Sequence, residues 1–297
     1  MEQHENKKAM LGVIFTMLIF GTIGIFREYT PLPSGLLSMS RGLIGAAFLF
    51  LVMLVSRAKI SGAAVKKNFF LLFISGVMIG VNWILLFEAY KYTTVPVATL
   101  SYYMAPIFVI LGAAVVLKEK LTPLKLICAF VAFAGIVLVA FGSDAGGESA
   151  EGKNHLLGIL LGLGAAALYA SDILVNKVID GVTAQERTLI QLATAGAVCI
   201  PYTLLAENLG DVKFTSTSVI MLLIMGIVHT GMAYTIYFGS MKQLRAQTVA
   251  LLSYIDPVAS VILAVLLIPG SVLNLMGWVG AVLVLGSAVV SELPSKK

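Results

Sequence analysis

Residues 142–154, GSDAGGESAEGKN, are the one sizeable polar segment between the two ends of a 297-residue chain, and their reading decides the fold. Before them lie five apolar runs: Met10–Phe26, Leu36–Val55, Phe69–Tyr90, Val95–Leu117 and Leu124–Phe141. After them lie five more: Leu156–Val178, Thr188–Ala206, Ser218–Gly239, Thr248–Ile268 and Leu273–Val290. Each is about 17–24 residues long, the length an α-helix needs to cross roughly 30 Å of hydrocarbon. Alternating strands of about ten residues, the mark of a membrane barrel, are absent. The first run follows Lys7 and Lys8 as a signal peptide would, but it lacks an Ala-x-Ala-like cleavage site and is expected to be a retained helix. The expected fold is an all-α polytopic membrane protein with ten transmembrane helices.

Composition agrees. Apolar residues make up 59% and charged ones 12%, with a mean hydropathy of +0.98. A soluble domain carries about 45–50% apolar and about 25% charged residues. Half the usual charge cannot clothe a globule of this size, which argues against a soluble enzyme, a nucleic-acid binder or a disordered chain. The net charge of +5 needs no nucleic acid, because Lys and Arg gather on one face of a membrane. With the amino terminus inside, 15 of the 20 basic residues fall in inner segments and 4 (Arg27, Lys91, Lys153, Lys213) in outer ones, while Arg41 lies within a span. Both termini are therefore expected in the cytoplasm. Cys128 and Cys199 lie in apolar runs, and His4, His155 and His229 stand far apart, so no disulfide, metal or cofactor is expected.

The linker, residues 143–155, divides the chain into residues 9–142 and 156–291. Five helices per half is an odd number, so related halves must be inverted-topology repeats. A shift of 151 residues aligns spans three to five with spans eight to ten without a gap. It pairs Val77 with Val228, Gly80 with Gly231, Phe87 with Phe238, Lys91 with Lys242, Leu100 with Leu251, Tyr103 with Tyr254, Pro106 with Pro257, Ala113 with Ala264 and Gly135 with Gly286. Apolar matches arise easily by chance; a shared Tyr-x-x-Pro at mid-span does not. Inverted repeats allow a midplane site to open first to one face and then to the other.

The stretch Phe87–Gly142 resembles the drug/metabolite transporter superfamily, in particular its EamA-like ten-helix members. The residues that carry the likeness are Ala89, Tyr92-Thr93, Pro106, Glu119, Leu121-Thr122 and Gly135, with Tyr254-Ile255-Asp256-Pro257-Val258, Gly277, Gly286 and Arg41 elsewhere. Two residues depart from the family pattern: Gly270 stands where a Glu is usual, and Asp256 where Glu is more common. The resemblance implies a multi-pass transporter of the bacterial inner (cytoplasmic) membrane, more often an exporter, for small metabolites such as amino acids.

Ionisable groups inside hydrocarbon cost about 2.5–3.5 kcal/mol each on insertion scales, so each one asks for a reason. Asp256 lies near the middle of span nine, followed by Pro257, which cannot donate to the Ser253 carbonyl. It either couples an ion, such as a proton, or caps a helix that restarts there. Pro106 would break span four in the same way. Tyr102, Tyr103 and Tyr254 just outside the two kinks could line a cavity or simply pack. Asp172 is an inner gate, a second proton site or the partner of Lys177. Arg41 could hold a substrate carboxylate or pair with Glu28 or Glu88. His229 is a proton relay or a hydrogen-bonded core residue. Asn82 and Trp83 in span three, with Tyr234 and Tyr237 in span eight, are cavity walls or packing. Gly76-x-x-x-Gly80 and Gly158-x-x-x-Gly162 allow close helix approach.

No Walker motif and no intramembrane-protease or serine-nucleophile pattern is present, so a secondary transporter is expected ahead of an ATP-driven pump, an intramembrane enzyme or a channel. The expected partners are the lipid bilayer and a small-molecule substrate, not nucleic acid. A homodimer is compatible with the sequence.

Overall fold

The computed structural model describes residues 2–30, 32–58, 60–93, 95–142, 154–267 and 274–291. Residues 143–153 of the interhalf linker and residues 268–273, which include Gly270, lie outside them. The described residues are helical and contain no strand. In lipid this follows from hydrogen bonding, because a helix satisfies its own backbone groups where no water can. The helices are α1 (Glu2–Gly21), α2 (Ile23–Glu28), α3 (Ser34–Val55), α4 (Gly62–Tyr92), α5 (Val95–Tyr102), α6 (Ala105–Val116) and α7 (Pro123–Gly142). After the linker come α8 (His155–Val178), α9 (Ala184–Ala206), α10 (Ser216–Ile224), a π segment (Met225–Met232), α11 (Ala233–Met241), α12 (Ala246–Ser253), α13 (Ile255–Leu267) and α14 (Leu275–Ser291). They include eight apolar helical spans of 19 to 31 residues and two shorter apolar helices, Pro123–Val139 and Leu275–Ser291. The protein is a polytopic membrane protein.

The helices before the linker pack mainly on those after it. α1 lies against α11, α12 and α13; α8 lies against α4, α5 and α6; α3 and α4 both pack on α9; α7 pairs with α14. Glycines bring several of these pairs close. A Cβ on Gly80 would lie 2.8 Å from the Ala195 carbonyl oxygen of α9, and one on Gly162 2.8 Å from Ser101 Cβ of α5. A Cβ on Gly135 would lie 2.7 Å from the Gly280 carbonyl oxygen, so α7 and α14 touch backbone to backbone. Small residues do this work in membranes because packing, rather than water expulsion, drives helix association.

Two crossings are interrupted. The first breaks at Tyr103-Met104 between α5 and α6, the second at Tyr254 between α12 and α13. Each break lies ahead of its proline for one reason. Pro106 and Pro257 have no N–H to give the carbonyls four residues back, and those carbonyls belong to Tyr102 and Ser253, the last residues of α5 and α12. Because α13 begins at Ile255, Asp256 sits inside its first turn. This corrects the capping alternative: the junction residue is Tyr254, not Asp256.

A third irregularity falls where the glycine spacing of the two halves differs. Three residues separate Gly76 from Gly80, but four separate Gly226 from Gly231. A shift of 150 pairs Leu72 with Leu222 and Gly76 with Gly226, and the shift of 151 takes over from Gly80 and Gly231. The extra residue falls in the π segment, the form a helix takes when one residue is inserted.

Candidate functional site

A cavity of about 300 Å³ lies between the two interrupted crossings. α5, α6 and the break between them bring Thr99, Tyr102, Tyr103 and Pro106 to its wall, α12 and α13 bring Ser253 and Asp256, and α4 brings Asn82, Trp83, Phe87 and Tyr90. α1 contributes Phe20, α3 Arg41, α8 Tyr169 and α11 Tyr234. The aromatic rings form a connected set. Phe20 and Tyr234 have centroids 5.3 Å apart, Trp83 and Tyr234 6.4 Å, and Tyr102 and Tyr169 5.9 Å. Edge-to-face and tilted contacts of this kind leave ring faces able to hold a planar or apolar group.

Of the described cavity-lining residues, Arg41 is the one cation and Asp256 the one carboxylate. The Arg41 guanidinium stands 5.2 Å from the Trp83 ring centroid, and its Nε donates to Thr230 Oγ1 at 3.3 Å. The expected pairing with Glu88 does not form, because the Glu88 carboxylate takes Lys91, at 2.6 Å, and the Tyr202 hydroxyl. Glu28, the alternative partner, lies outside the described side chains. Among the described residues no hydrogen bond or ion pair reaches the Asp256 carboxyl; Tyr102, Tyr103 and Tyr169 lie within its electrostatic reach. Asn82 donates to the Ala165 carbonyl at 2.6 Å and so ties α4 to α8 at the wall.

On one side the cavity wall ends at Tyr169, whose neighbour Tyr237 does not line it. The Tyr169 and Tyr237 hydroxyls meet at 3.0 Å, and beyond them two lysines clasp helix ends reciprocally. Lys177 of α8 donates to the carbonyls of Met241, the last residue of α11, and of Leu244 beyond it. Lys242, just past α11, donates to the Lys177 and Ile179 carbonyls at 3.0 and 2.5 Å. The final carbonyls of a helix have no intrahelical partner and carry partial negative charge, which suits an ammonium. Burial and the Arg187 charge lower the Lys242 pKa below the ordinary lysine value, while Asp180, 3.6 Å away, opposes the shift. Beside the clasp, Glu119 accepts from the backbone N–H groups of Ala246 and Gln247, at 2.7 and 3.3 Å, capping α12. On the opposite side the cavity wall climbs α4 through Phe87 and Tyr90 to within two residues of its end.

The other expected site residues lie outside the cavity wall. Tyr237 is buried behind Tyr169. Tyr254 is fully buried and donates from its hydroxyl to the Tyr103 carbonyl at 3.2 Å, linking the two breaks. Pro257 is buried beside it. Asp172 does not pair with Lys177. Its carboxylate accepts from Ser75 and from Asn176, the latter at 2.9 Å, in a node completed by Gln191 that joins α4, α8 and α9. Arg187 holds the nearby Asn176 and Ile179 carbonyls at 3.1 and 3.2 Å. His229 Nε2 is 2.7 Å from Thr22 Oγ1, with its ring edge on Phe26 at 4.7 Å.

Sequence reasoning did not single out Phe20, Tyr90, Thr99, Ser253 or Thr230. Tyr169 lies three residues before Asp172 on the same helix. A mid-span aromatic in the helix that opens the second half was the available signal for it; Phe20 offered none, being one apolar residue among many. Among the described residues no group of three or more His, Cys, Asp or Glu could hold a metal, and both cysteines are buried and free.

Comparison with known proteins adds to this geometry. The sequence profile of the EamA-like transporter family matches the chain twice, over residues 7–141 and 156–292. The chain is 27% identical over 259 residues to "Uncharacterized transporter YxxF" of Bacillus subtilis (strain 168), covering 87% of this chain and 81% of that protein. It is 26% identical over 266 residues to an "Uncharacterized transporter" of Archaeoglobus fulgidus, covering 87% and 89%. A shorter match, 27% over 111 residues and 36% of this chain, is to 30% of human "Solute carrier family 35 member G1". A crystal structure of a protein 21% identical in sequence superposes with a TM-score of 0.84 over 97% of both chains, a likeness of fold.

Proposed function

Because the chain belongs to the EamA-like transporter family, we propose that it is a secondary transporter that exports small metabolites such as amino acids by alternating access. In this reading residues 9–142 and 156–291 are two inverted five-helix repeats that cross the bacterial inner membrane ten times, with both termini in the cytoplasm. The double match to one family profile and the repeated Tyr-x-x-Pro support the repeat. The 15-to-4 distribution of basic residues supports the sidedness. In this reading the lysine clasp lies at the cytoplasmic end and the cavity faces outward.

The observation that carries the reading is the meeting of two interrupted helices at one aromatic cavity holding a single Arg and a single Asp. Broken helices at mid-membrane are where transporters expose backbone and charge to a solute. A zwitterion fits such a site: the Arg41 fork takes a carboxylate, the Asp256 carboxyl takes an ammonium or exchanges a proton, and the rings take the side chain.

Thermal unfolding of the purified protein against amino acids, nucleobases and organic cations tests this. A ligand at about 100 times its dissociation constant adds roughly 2.7 kcal/mol to a reversibly folded state. Selective stabilisation by free amino acids is the expected result. Stabilisation confined to nucleobases or organic cations would replace the substrate class.

A further inference from the structure

The π segment is where the second half exceeds the first by one residue, and it is also where the second half turns polar. Between Gly76 and Gly80 the first half has Val77, Met78 and Ile79; between Gly226 and Gly231 the second has Ile227, Val228, His229 and Thr230. The two bracketing glycines clamp the π segment onto α3, the helix that carries Arg41. A Cβ on Gly226 would lie 2.5 Å from Ile44, and one on Gly231 2.9 Å from Phe48. Within that clamp the hydroxyl of Thr230 donates to the Met225 carbonyl five residues back, at 2.8 Å, and accepts from Arg41 Nε. Five-back bonding belongs to the π turn; without the extra residue, one side of the segment would turn by about 100° relative to the other, which separates Thr230 from Arg41.

We propose that this inserted turn sets the orientation of the Arg41 guanidinium in the cavity, with Thr230 as its positioning residue, so that preference for a carboxylate-bearing solute is controlled from the π turn. A guanidinium recognises a carboxylate through a rigid planar fork, and a fork is useful only when its plane is fixed. Thr230 fixes the Nε edge and Trp83 fixes one face. Nothing equivalent is built by the first half, whose matching segment is ordinary α-helix packed on α9. The insertion thus makes two related halves contribute unlike chemistry to one cavity. The proposal rests on the reading of Arg41 as the carboxylate anchor, and the test separates the two.

The full-length purified protein is titrated with L-leucine, L-phenylalanine and L-tryptophan and with the corresponding amino-acid amides, which keep the ammonium and side chain but lack the carboxylate. Wild type is expected to bind the free acids about tenfold or more tighter than the amides, the scale of a charge-assisted hydrogen bond. Thr230→Val should shrink that ratio to roughly threefold or less with amide affinity nearly unchanged, and Thr230→Ser should restore it. Deleting Ile227, which returns the segment to an α-helical register, should act like Thr230→Val. Should Thr230→Val fail to fold, Arg41→Lys keeps the charge but removes the fork and must shrink the ratio likewise. A wild type that prefers the acids while Thr230→Val or the deletion leaves the ratio intact overturns the positioning role alone. A wild type that binds acids and amides equally, or binds neither, overturns the reading of Arg41 beneath it.

Discussion

Asp256 is held one residue before the proline that interrupts its crossing and lines a cavity whose wall also carries aromatic rings, Thr99, Ser253, Arg41 and apolar side chains such as Met17, Ile23 and Leu86. An ionised carboxylate placed there without a hydrogen-bonded partner is costly, and exchange of a proton or of a substrate ammonium removes that cost. Asp256→Asn is expected to abolish accumulation driven by a pH gradient while leaving substrate exchange across proteoliposomes measurable. Undiminished pH-driven accumulation in that variant would discard the coupling role. Glycines give a second residue-scale test. Gly80→Val must push α9 backbone away from a helix already in contact, at a cost of about 1–3 kcal/mol. Gly286→Ala meets nothing within 4 Å and should stabilise by about 0.5–1 kcal/mol. Unfolding midpoints should move in opposite directions; equal shifts would refute the packing account. At this scale the charges were legible in the sequence and their partners were not. Arg41 and Glu88 lie near the same end of neighbouring spans, but helix rotation decides contact, and α4 turns Glu88 to Lys91 and Tyr202 instead.

The elements differ in what their sequence revealed. The two breaks were legible because a missing N–H has a fixed consequence four residues back. The π segment was hidden, because one extra residue in an apolar helix leaves length and hydropathy almost unchanged; only the unequal glycine spacing records it. The lysine clasp was hidden too. Lys177 and Lys242 read as basic residues near one membrane face, and their carbonyl partners have no side-chain signature. The clasp predicts that Lys177→Met with Lys242→Met loosens the packing of α8 on the end of α11. A cysteine at Ala250, buried in α12, should then react with a membrane-permeant maleimide several-fold faster than in the background with both lysines. Unchanged labelling would mean that the tyrosine pair and the Glu119 cap hold that packing without the lysines.

Across the whole molecule, hydropathy located the crossings because bilayer thickness sets their length, whereas the interleaving of the halves is a matter of packing that length cannot report. The polar linker reads as a boundary, yet α1 packs on α11–α13 and α8 on α4–α6, so neither half builds the cavity alone. In the proposed mechanism of alternating access, a cavity shared between two halves opens to one face or the other as they shift. The most direct measurement is uptake of radiolabelled amino acids by proteoliposomes holding the purified protein, with and without an imposed pH gradient. The account predicts saturable uptake that the gradient raises above equilibrium, and retention of exchange but loss of the gradient effect in Asp256→Asn. Flux that rises linearly with concentration, accompanied by single-channel currents, would contradict it.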